Sequence, residues 1–191
     1  MKVIGINGSS HKKGNTTIII KTVFEELNKV GIETELIQLA DIEIQPCRAC
    51  FACKGKKNCF FRGDGFSDVF NLMVEADGII LGSPVYSADV SSKMKAFLDR
   101  GGVVVATNPG LLKHTVGASV AAVRRAGGMT AVDTMNHFML NKEMIVVGST
   151  YWNMVYGSEI GDVMNDEEGM ANMRNLGQNI ASLLKRLDKQ G

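Results

Sequence analysis

The sequence predicts an α/β protein with a doubly wound, five-stranded parallel sheet, and two observations lead to this prediction. Five short apolar runs alternate with longer segments in which apolar residues recur at helical spacing. Strands that are separated by helices pair in parallel, and right-handed crossovers place the helices on both faces of the sheet. Ligands of such sheets bind beyond the carboxyl ends of the strands. We therefore expect one domain over residues 1–191, with its chemistry in the loops that follow the strands.

Each predicted element follows from its local pattern. The strands are short apolar runs: Lys2–Asn7, Glu33–Leu39, Gly78–Gly82, Thr115–Val123 and Glu143–Val147. The helices carry an apolar face: Asn15–Val30, Phe66–Ala76, Ser91–Arg100, a segment near Met129–Leu140, and Glu167–Lys189. The core face of the last helix consists of Met173, Leu176, Ile180, Leu184 and Leu187. The third helix is expected to turn Lys93, Lys95 and Arg100 toward solvent.

Composition and charge exclude several classes of protein. Hydrophobic residues make up 45% of the chain, and 21 basic residues against 20 acidic ones leave a net charge of +1. This balance gives no electrostatic reason to expect nucleic acid. The first residues enter a strand too soon for a signal peptide, and no apolar stretch reaches the about 18 residues that span a bilayer. We expect a cytoplasmic protein that binds neither nucleic acid nor membranes.

The loop after the first strand, within residues 5–17, predicts a phosphate site. Its sequence GINGSSHKKGNTT fits neither the dinucleotide fingerprint, because Asn7 replaces a required glycine, nor the P-loop. The loop contains hydroxyl groups, glycines and positive charges, and it ends at a predicted helix N-terminus. Backbone N–H groups and the helix dipole at such a terminus bind a monophosphate well. The candidate residues are Ser9, Ser10, His11, Lys12, Gly14, Asn15, Thr16 and Thr17. A helix N-cap by Asn15 or Thr16 beside a solvated basic turn is the alternative.

The loop after the third strand predicts a resting place for a flat, partly apolar ligand. Pro84 lacks a backbone N–H group, so we expect the hydrogen-bonded ladder to end before it. Val85, Tyr86 and Ser87 would then stand at the edge of the sheet, with backbone amides available to polar ring atoms. A plain turn that caps the next helix is the alternative.

The loop after the fourth strand adds positive charge and glycine. Arg124 and Arg125 precede Gly127 and Gly128. The two glycines allow a close approach of the backbone to a ring, and an arginine offsets negative charge on that ring.

Together the three loops resemble those of the FMN-binding flavodoxin-like reductases. Ser9, Asn15 and Thr16 match the motif GSxRxxxN[TS], in which His11 replaces the usual arginine. SPVYS resembles the isoalloxazine loop of that family, and KAFLDR resembles the helix after it. The resemblance runs through almost the whole chain. It implies a flavodoxin-like fold, FMN as the cofactor, and the loop residues named above as its ligands.

The four cysteines of the chain lie together in an irregular insertion after the second strand, at about residues 45–62. Cys47, Cys50, Cys53 and Cys59 have the spacing C-x2-C-x2-C-x5-C. A close triplet of this kind is typical of a loop around an iron–sulfur cube. Zinc sites show two separated pairs more often, and a reducing compartment disfavours disulfides. Zinc, a free redox dithiol and inert buried thiols remain alternatives at this point.

With the flavin loops, the cysteine motif resembles that of the iron–sulfur flavoproteins. The resemblance implies one FMN and one 4Fe–4S cluster per chain, with the four cysteines as cluster ligands. It also implies a homodimer or homotetramer in which one protomer's cluster lies near another's FMN. The basic stretch KGKKN favours an acidic, ferredoxin-like electron donor, and a solvated loop is the alternative. Trp152 is expected in a loop after the fifth strand, either against a flavin or in an interface or core.

The implied function is electron transfer between a donor, either NAD(P)H or a ferredoxin-like protein, and a small-molecule acceptor. FMN accepts electrons in pairs and releases them singly, so no protein nucleophile is required. His114 and His137 are interpreted as surface or capping residues. The rival enzyme is an NAD(P)H-dependent FMN or quinone reductase without a cluster. The rivals outside enzymes are a flavodoxin-like carrier and a zinc-binding interaction module.

Overall fold

The computed structural model describes residues 1–188. Its central element is a parallel sheet of six strands. The strands are β1 (Lys2–Asn7), β2 (Glu33–Gln38), β3 (Gly78–Pro84), β4 (Val116–Val123), β5 (Ile145–Val146) and β6 (Met154–Tyr156). The helices are α1 (Asn15–Asn28), α2 (Phe66–Glu75), α3 (Ser92–Ala106), α4 (Gly128–Leu140) and α5 (Glu167–Asp188). Short 3-10 turns cover Leu39–Asp41 and Asp162–Asn165. The predicted helix end at Lys189 lies outside the described residues.

The sheet has the strand order β2-β1-β3-β4-β5, with β6 also paired to β4. Two apolar layers cover it. One layer joins α1 and α5 through residues such as Ile19, Leu27 and Leu176, and the other joins α2, α3 and α4 through Phe70, Phe97 and similar residues. Helices on both faces of a parallel sheet confirm the predicted doubly wound fold. Because the strand order reverses between β1 and β3, their carboxyl ends diverge into a crevice there.

The fifth strand differs from its prediction. Instead of one run over Glu143–Val147, the chain pairs with the start of β4 through β5, leaves the sheet over residues 148–152, and pairs again through β6. Asn172 on α5 holds the excursion, because its Oδ1 accepts from Thr150 Oγ1 (3.0 Å) and Tyr151 N (3.1 Å). Trp152 therefore lies inside the interrupted strand, where 55% of its side chain is exposed.

Two further boundaries were predicted wrongly. Pro84 belongs to β3 and pairs with Ala122, because the hydrogen bond to the Ala122 carbonyl comes from Val85 N (3.1 Å). The ring nitrogen of Pro84 points away from β4, toward the side of β3 on which β1 has already ended. The sheet therefore loses no hydrogen bond through the missing N–H group of Pro84. Helix α3 continues past Arg100 to Ala106, and Arg100 itself is buried rather than solvated.

Crossing a bilayer requires a long apolar helix, and no helix within residues 1–188 has both properties.

Candidate functional site

A cleft of about 470 Å³ opens at the carboxyl edge of the sheet and collects residues from all three predicted loops. The predicted residues that line it are Ser9, His11, Gly14, Asn15, Thr16, Pro84, Val85, Tyr86 and Arg124. The remaining predicted residues lie behind or beside the lining: Ser10, Lys12, Thr17, Ser87, Arg125, Gly127 and Gly128. We call this feature the carboxyl-edge cleft. The expected meeting of the loops at one edge follows from the parallel direction of β1, β3 and β4.

The first loop is held in shape by a buried hydrogen-bond network below it. Asn7 donates from Nδ2 to Thr17 Oγ1 (2.8 Å) and accepts from Ser9 N (2.8 Å) at Oδ1. Thr17 Oγ1 in turn donates to the carbonyl of Lys12 (2.7 Å). Thr17 therefore fixes the course of the loop from beneath.

The N-terminus of α1 faces this loop without a side-chain cap. Its N-cap is Gly14, so the alternative prediction of a cap by Asn15 or Thr16 is wrong. Helix N-termini leave up to four backbone N–H groups without intrahelical partners. Such groups, together with the hydroxyl of the buried Thr16, form a ready binding place for an anion.

Asn15 connects the first loop to a second wall of the cleft. Its Nδ2 donates to the carbonyl of Glu159 (2.8 Å), and its Oδ1 accepts from Gly161 N (2.8 Å). The side chain thus joins two segments 144 residues apart. Both ends of the amide are used by the protein, so the side chain of Asn15 holds this wall in position.

That wall, residues 157–160, is part of the site that sequence reasoning missed. Gly157, Ser158, Glu159 and Ile160 line the carboxyl-edge cleft directly after β6. Asp162 Oδ2 accepts from the backbone N of Glu159 (2.7 Å), and Gly161 has φ +98°. The run GSEIGD contains the signal of a tight turn. It could not be placed at the sheet edge because β6 had not been predicted.

The loop after β3 contains a strained turn. Tyr86 and Asp89 exchange two backbone hydrogen bonds (2.8 and 3.0 Å), and Ser87 and Ala88 between them have φ +49° and +63°. This is the pattern of a type I′ turn, which normally takes glycine or asparagine. Gly127 packs directly against it, since a Cβ at Gly127 would lie 2.7 Å from Ala88 Cα. The loops after β3 and β4 therefore support each other.

All four cysteines line a second, smaller cavity of about 30 Å³, which we call the cysteine cavity. Its other walls are Pro46, Arg48, Phe51, Phe60, Phe61, Arg100, Val103 and Val104. The segment between the 3-10 turn at Leu39–Asp41 and α2 contains neither helix nor strand. The cysteines are free thiols, from the buried Cys53 to the exposed Cys50.

The C-terminal end of α3 anchors this irregular segment. Asn108 donates from Nδ2 to the carbonyl of Cys53 (2.9 Å) and accepts from Lys57 N (3.0 Å). Thr107 Oγ1 lies 3.4 Å from Cys53 Sγ, and Ala49 N donates to Cys47 Sγ at 3.4 Å. With Arg100 Nε 3.1 Å from Cys59 Sγ, three of the four sulfurs thus already have a polar neighbour in the protein.

A buried ion pair closes the cavity from the side of α3. Arg100 Nη1 lies 2.6 Å from Asp64 Oδ2, with side-chain exposures of 2% and 0%. Burial would raise the pKa of Asp64, but hydrogen bonds from Gln45 N, Arg100 and Phe66 N hold that pKa below its usual value. Burial would likewise lower the pKa of Arg100, but its bonds to Asp64 and Cys59 raise it. Both groups are therefore charged at neutral pH.

The sulfurs share a cavity without converging on one point. Among residues 1–188, no group of three or more His, Cys, Asp or Glu side chains is close enough to hold a single metal ion. A zinc site needs four ligands around one ion, so this arrangement does not fit zinc. His114 and His137 are exposed and lie outside the carboxyl-edge cleft and the cysteine cavity.

The chain is similar to known proteins over almost its whole length. The model of the family described as NADPH-dependent FMN reductase matches residues 1–159. An iron–sulfur flavoprotein of Methanocaldococcus jannaschii is 39% identical over 99% of this chain and 100% of its own. An iron–sulfur flavoprotein of Methanosarcina thermophila is 30% identical over 99% of this chain and 98% of its own.

Solved structures agree on the fold. RosB with a bound 8-demethyl-8-formylriboflavin-5′-phosphate intermediate superposes with a TM-score of 0.80 at 16% identity, over 99% of this chain and 81% of its own. A flavodoxin from the domain Archaea superposes with a TM-score of 0.63 at 17% identity, over 97% of this chain and 99% of its own.

Proposed function

Because the chain belongs to the NADPH-dependent FMN reductase family and to the iron–sulfur flavoproteins, we propose that this FMN-dependent oxidoreductase also carries a 4Fe–4S cluster. FMN would occupy the carboxyl-edge cleft, and Cys47, Cys50, Cys53 and Cys59 would hold the cluster. When bound, the two groups supply an exchange between two-electron and one-electron chemistry. The single observation that carries the proposal is that all four cysteines of the chain line one cavity.

The cysteine cavity fits a cluster by its donor set. Thiolates are soft anionic ligands that suit iron–sulfur clusters, and a cube needs one at each iron corner. N–H groups that donate to the sulfurs are a common means of tuning such centres. Arg100 Nε lies 3.1 Å from Cys59 Sγ, and Ala49 N lies 3.4 Å from Cys47 Sγ.

The carboxyl-edge cleft fits FMN by its division of polar and apolar walls. The uncapped N-terminus of α1, with Ser9 and Thr16 beside it, would bind the terminal phosphate. Val85 and Tyr86 give a flat apolar wall for a ring, and Arg124 adds positive charge. The cleft has no dinucleotide fingerprint, which favours FMN over FAD.

The protein's own residues would orient the flavin and leave the redox step to the cofactors. The strained turn at Ser87–Ala88 fixes the backbone beside Tyr86, and Gly127 lets the next loop approach it. The backbone N of Tyr86 already donates to the Asp89 carbonyl (2.8 Å), so the expectation that this amide meets a ring atom is wrong. Asn15 keeps the 157–160 wall in place.

The basic rim of the cysteine cavity supports an acidic, ferredoxin-like donor as partner. Lys54, Lys56 and Lys57 are exposed between the third and fourth cysteines, and Arg62 follows. Complementary charge raises association rates in a salt-dependent way. Reversing the charge of Lys56 and Lys57 should slow reduction by an acidic ferredoxin, whereas Lys21→Glu on α1 should not.

The proposed assembly is a homodimer or homotetramer, and exposed apolar side chains in and around β6 support it. Tyr151, Trp152, Tyr156 and Ile160 each expose about half or more of their surface, from 48% to 65%. Apolar residues clustered in this way are typical of interfaces. Light scattering on the purified protein will give the oligomeric state.

The test of the proposed function is the content of an anaerobically purified and reconstituted sample. We expect four iron and four sulfide per chain, as in a 4Fe–4S cluster, together with one FMN after acid release. FMN without iron would favour the cluster-free NAD(P)H-dependent reductase. Chiefly FAD would contradict the interpretation of the first loop.

A further inference from the structure

A buried arginine donates a hydrogen bond to one of the four cysteines. Arg100 Nε lies 3.1 Å from Cys59 Sγ, and only 2% of the Arg100 side chain is exposed. Arginine is almost never buried without a partner that needs its charge. Electrostatic interactions in such a poorly solvated site are several times stronger than at the surface.

The guanidinium group is fixed in its orientation. Nη1 contacts Asp64 Oδ2 at 2.6 Å, and Nη2 donates to the carbonyl of Phe61 at 3.0 Å. Arg100 Cζ also lies 4.3 Å from the centroid of the Phe66 ring and 5.3 Å from that of Phe61. Because both terminal nitrogens are hydrogen-bonded and two rings lie beside the group, its orientation keeps Nε directed at the sulfur.

Asp64 balances the charge of the buried Arg100 without removing the hydrogen bond that Arg100 donates to Cys59. The carboxylate contacts Nη1, whereas the donor to the sulfur is Nε. The Nε–H group therefore still directs its positive end at Sγ. Arg48 is a useful contrast, because its Cζ lies 4.2 Å from the Phe61 centroid but its side chain is exposed and makes its hydrogen bond to Gln45.

We propose that Arg100 sets the reduction potential of the cluster by holding a charged hydrogen bond on the thiolate of Cys59, an inference that rests on the proposed function. One-electron reduction adds one negative charge to the cluster and its thiolates, and no bond forms or breaks. The electron comes from reduced FMN or from the ferredoxin-like donor, which is oxidised by one electron. A fixed positive group stabilises the more negative, reduced form, so Arg100 raises the potential. Arg100 acts through Cys59 and is a positioning residue.

The experiment is a potentiometric titration of reconstituted wild-type protein and of Arg100→Met, Arg100→Lys and Arg48→Met. We expect Arg100→Met to reduce the equilibrium constant for cluster reduction about tenfold or more, which corresponds to about 59 mV. Arg100→Lys keeps the charge but loses the planar fork, and we expect a smaller change in the same direction. Arg48→Met should change the constant less than about twofold, because exposed charges are screened. The FMN potential in the same samples is the internal reference.

Three results would overturn the inference. They are an unchanged cluster potential in both Arg100 variants, an equal change in Arg48→Met, and loss of the cluster from both Arg100 variants, which would make Arg100 an anchor of the loop only. A wild-type protein that binds no iron and sulfide would instead refute the proposed cluster. The iron and sulfide content of the wild type is therefore measured first.

Discussion

The carboxyl-edge cleft and the cysteine cavity are built in opposite ways. The cleft is formed by loops at the ends of parallel strands and offers backbone groups and short polar side chains. The cavity lies against α3, in a segment without regular structure, and offers four thiols and a buried ion pair. The fold brings the walls of the cleft together and side-chain bonds adjust them, whereas the cavity has no regular structure and depends on side-chain bonds alone. Variants should therefore affect one site and spare the other.

The largest expected effect is a loss of bound iron in variants that lack one of the four cysteines. Replacing Cys47, Cys50, Cys53 or Cys59 by alanine, one at a time, removes a proposed cluster ligand that no other thiol in the chain can replace. We expect loss of the cluster, with FMN retained because the carboxyl-edge cleft shares no residue with the cysteine cavity. Iron and flavin are quantified in parallel after anaerobic reconstitution. Full iron in the Cys59 variant alone would assign the fourth ligand elsewhere, and full iron in all four would refute the cluster.

The next effect is on stability, through the ion pair beside the cavity. Asp64→Asn leaves Arg100 as an uncompensated buried charge, and we expect about 3–5 kcal/mol less free energy of unfolding in the cluster-free protein. The matched control is Asp99→Asn, which removes the exposed pair with Lys95 on α3 and should cost about 1 kcal/mol or less. Urea unfolding followed by circular dichroism measures both.

The Asp64–Arg100 ion pair also predicts that the free energy of unfolding depends on pH in the acidic range. The pKa of Asp64 is lowered in the folded protein, so its stabilising contribution is complete above the unfolded value of about 3.9. That contribution is lost as the pH falls from there through the folded pKa. The difference in stability between wild type and Asp64→Asn should shrink over this range. A constant difference from neutral pH to acid would show that Asp64 is not the titrating group.

A smaller effect is expected on the cleft side, at Asn15. Asn15→Ala removes the bonds to Glu159 and Gly161, each worth about 0.5–1.5 kcal/mol of stability, and frees the 157–160 wall. We expect stability and FMN affinity to fall together, with the iron content unchanged. Asn15→Asp keeps the acceptor for Gly161 N and should recover part of the loss. Melting curves and flavin fluorescence titration measure the two quantities, and a lower FMN affinity at unchanged stability would contradict the positioning role.

The smallest effect is expected at the strained turn. Ala88 adopts φ +63°, a conformation that costs a residue other than glycine about 1–2 kcal/mol. Ala88→Gly should therefore stabilise the flavin-free protein, by about 1 kcal/mol after the entropy of glycine is counted. Gly127→Ala tests the opposite direction, since its Cβ would collide with Ala88. Thermal melting of both variants is sufficient, and destabilisation by Ala88→Gly would show that the turn is not strained.

Sequence reasoning predicted the cleft better than its second wall. Short apolar runs defined β1, β3 and β4, and parallel topology then brought Ser9, Tyr86 and Arg124 to one edge. The wall at residues 157–160 was missed because β6 has only three residues, too few for a periodic pattern. The contacts of Asn15 join segments far apart in the chain, and no local pattern encodes such a pairing.

The same limit applies to the cysteine side. Spacing grouped Cys47, Cys50, Cys53 and Cys59 into one candidate site, because two of the three intervals are only two residues long, and all four do line one cavity. Arg100 was expected in solvent, since an arginine on an amphipathic helix is normally exposed. Its burial depends on Asp64 and Phe61, which lie in an irregular segment with no period to read. Tertiary partners therefore decided the position of the charge.

The interrupted fifth strand has a consequence for solubility. An open parallel sheet ends in unpaired backbone groups, which can template edge-to-edge aggregation. At one edge, β2 carries Glu33 and Glu35, and like charges discourage a second copy from pairing there. At the other edge, β5 and β6 offer only two and three residues, separated by an excursion that Asn172 ties to α5. Because β5 and β6 are interrupted, a strand of another molecule finds no continuous row of backbone N–H and C=O groups to pair with at this edge. Charge therefore protects one edge of the sheet, and the interruption protects the other.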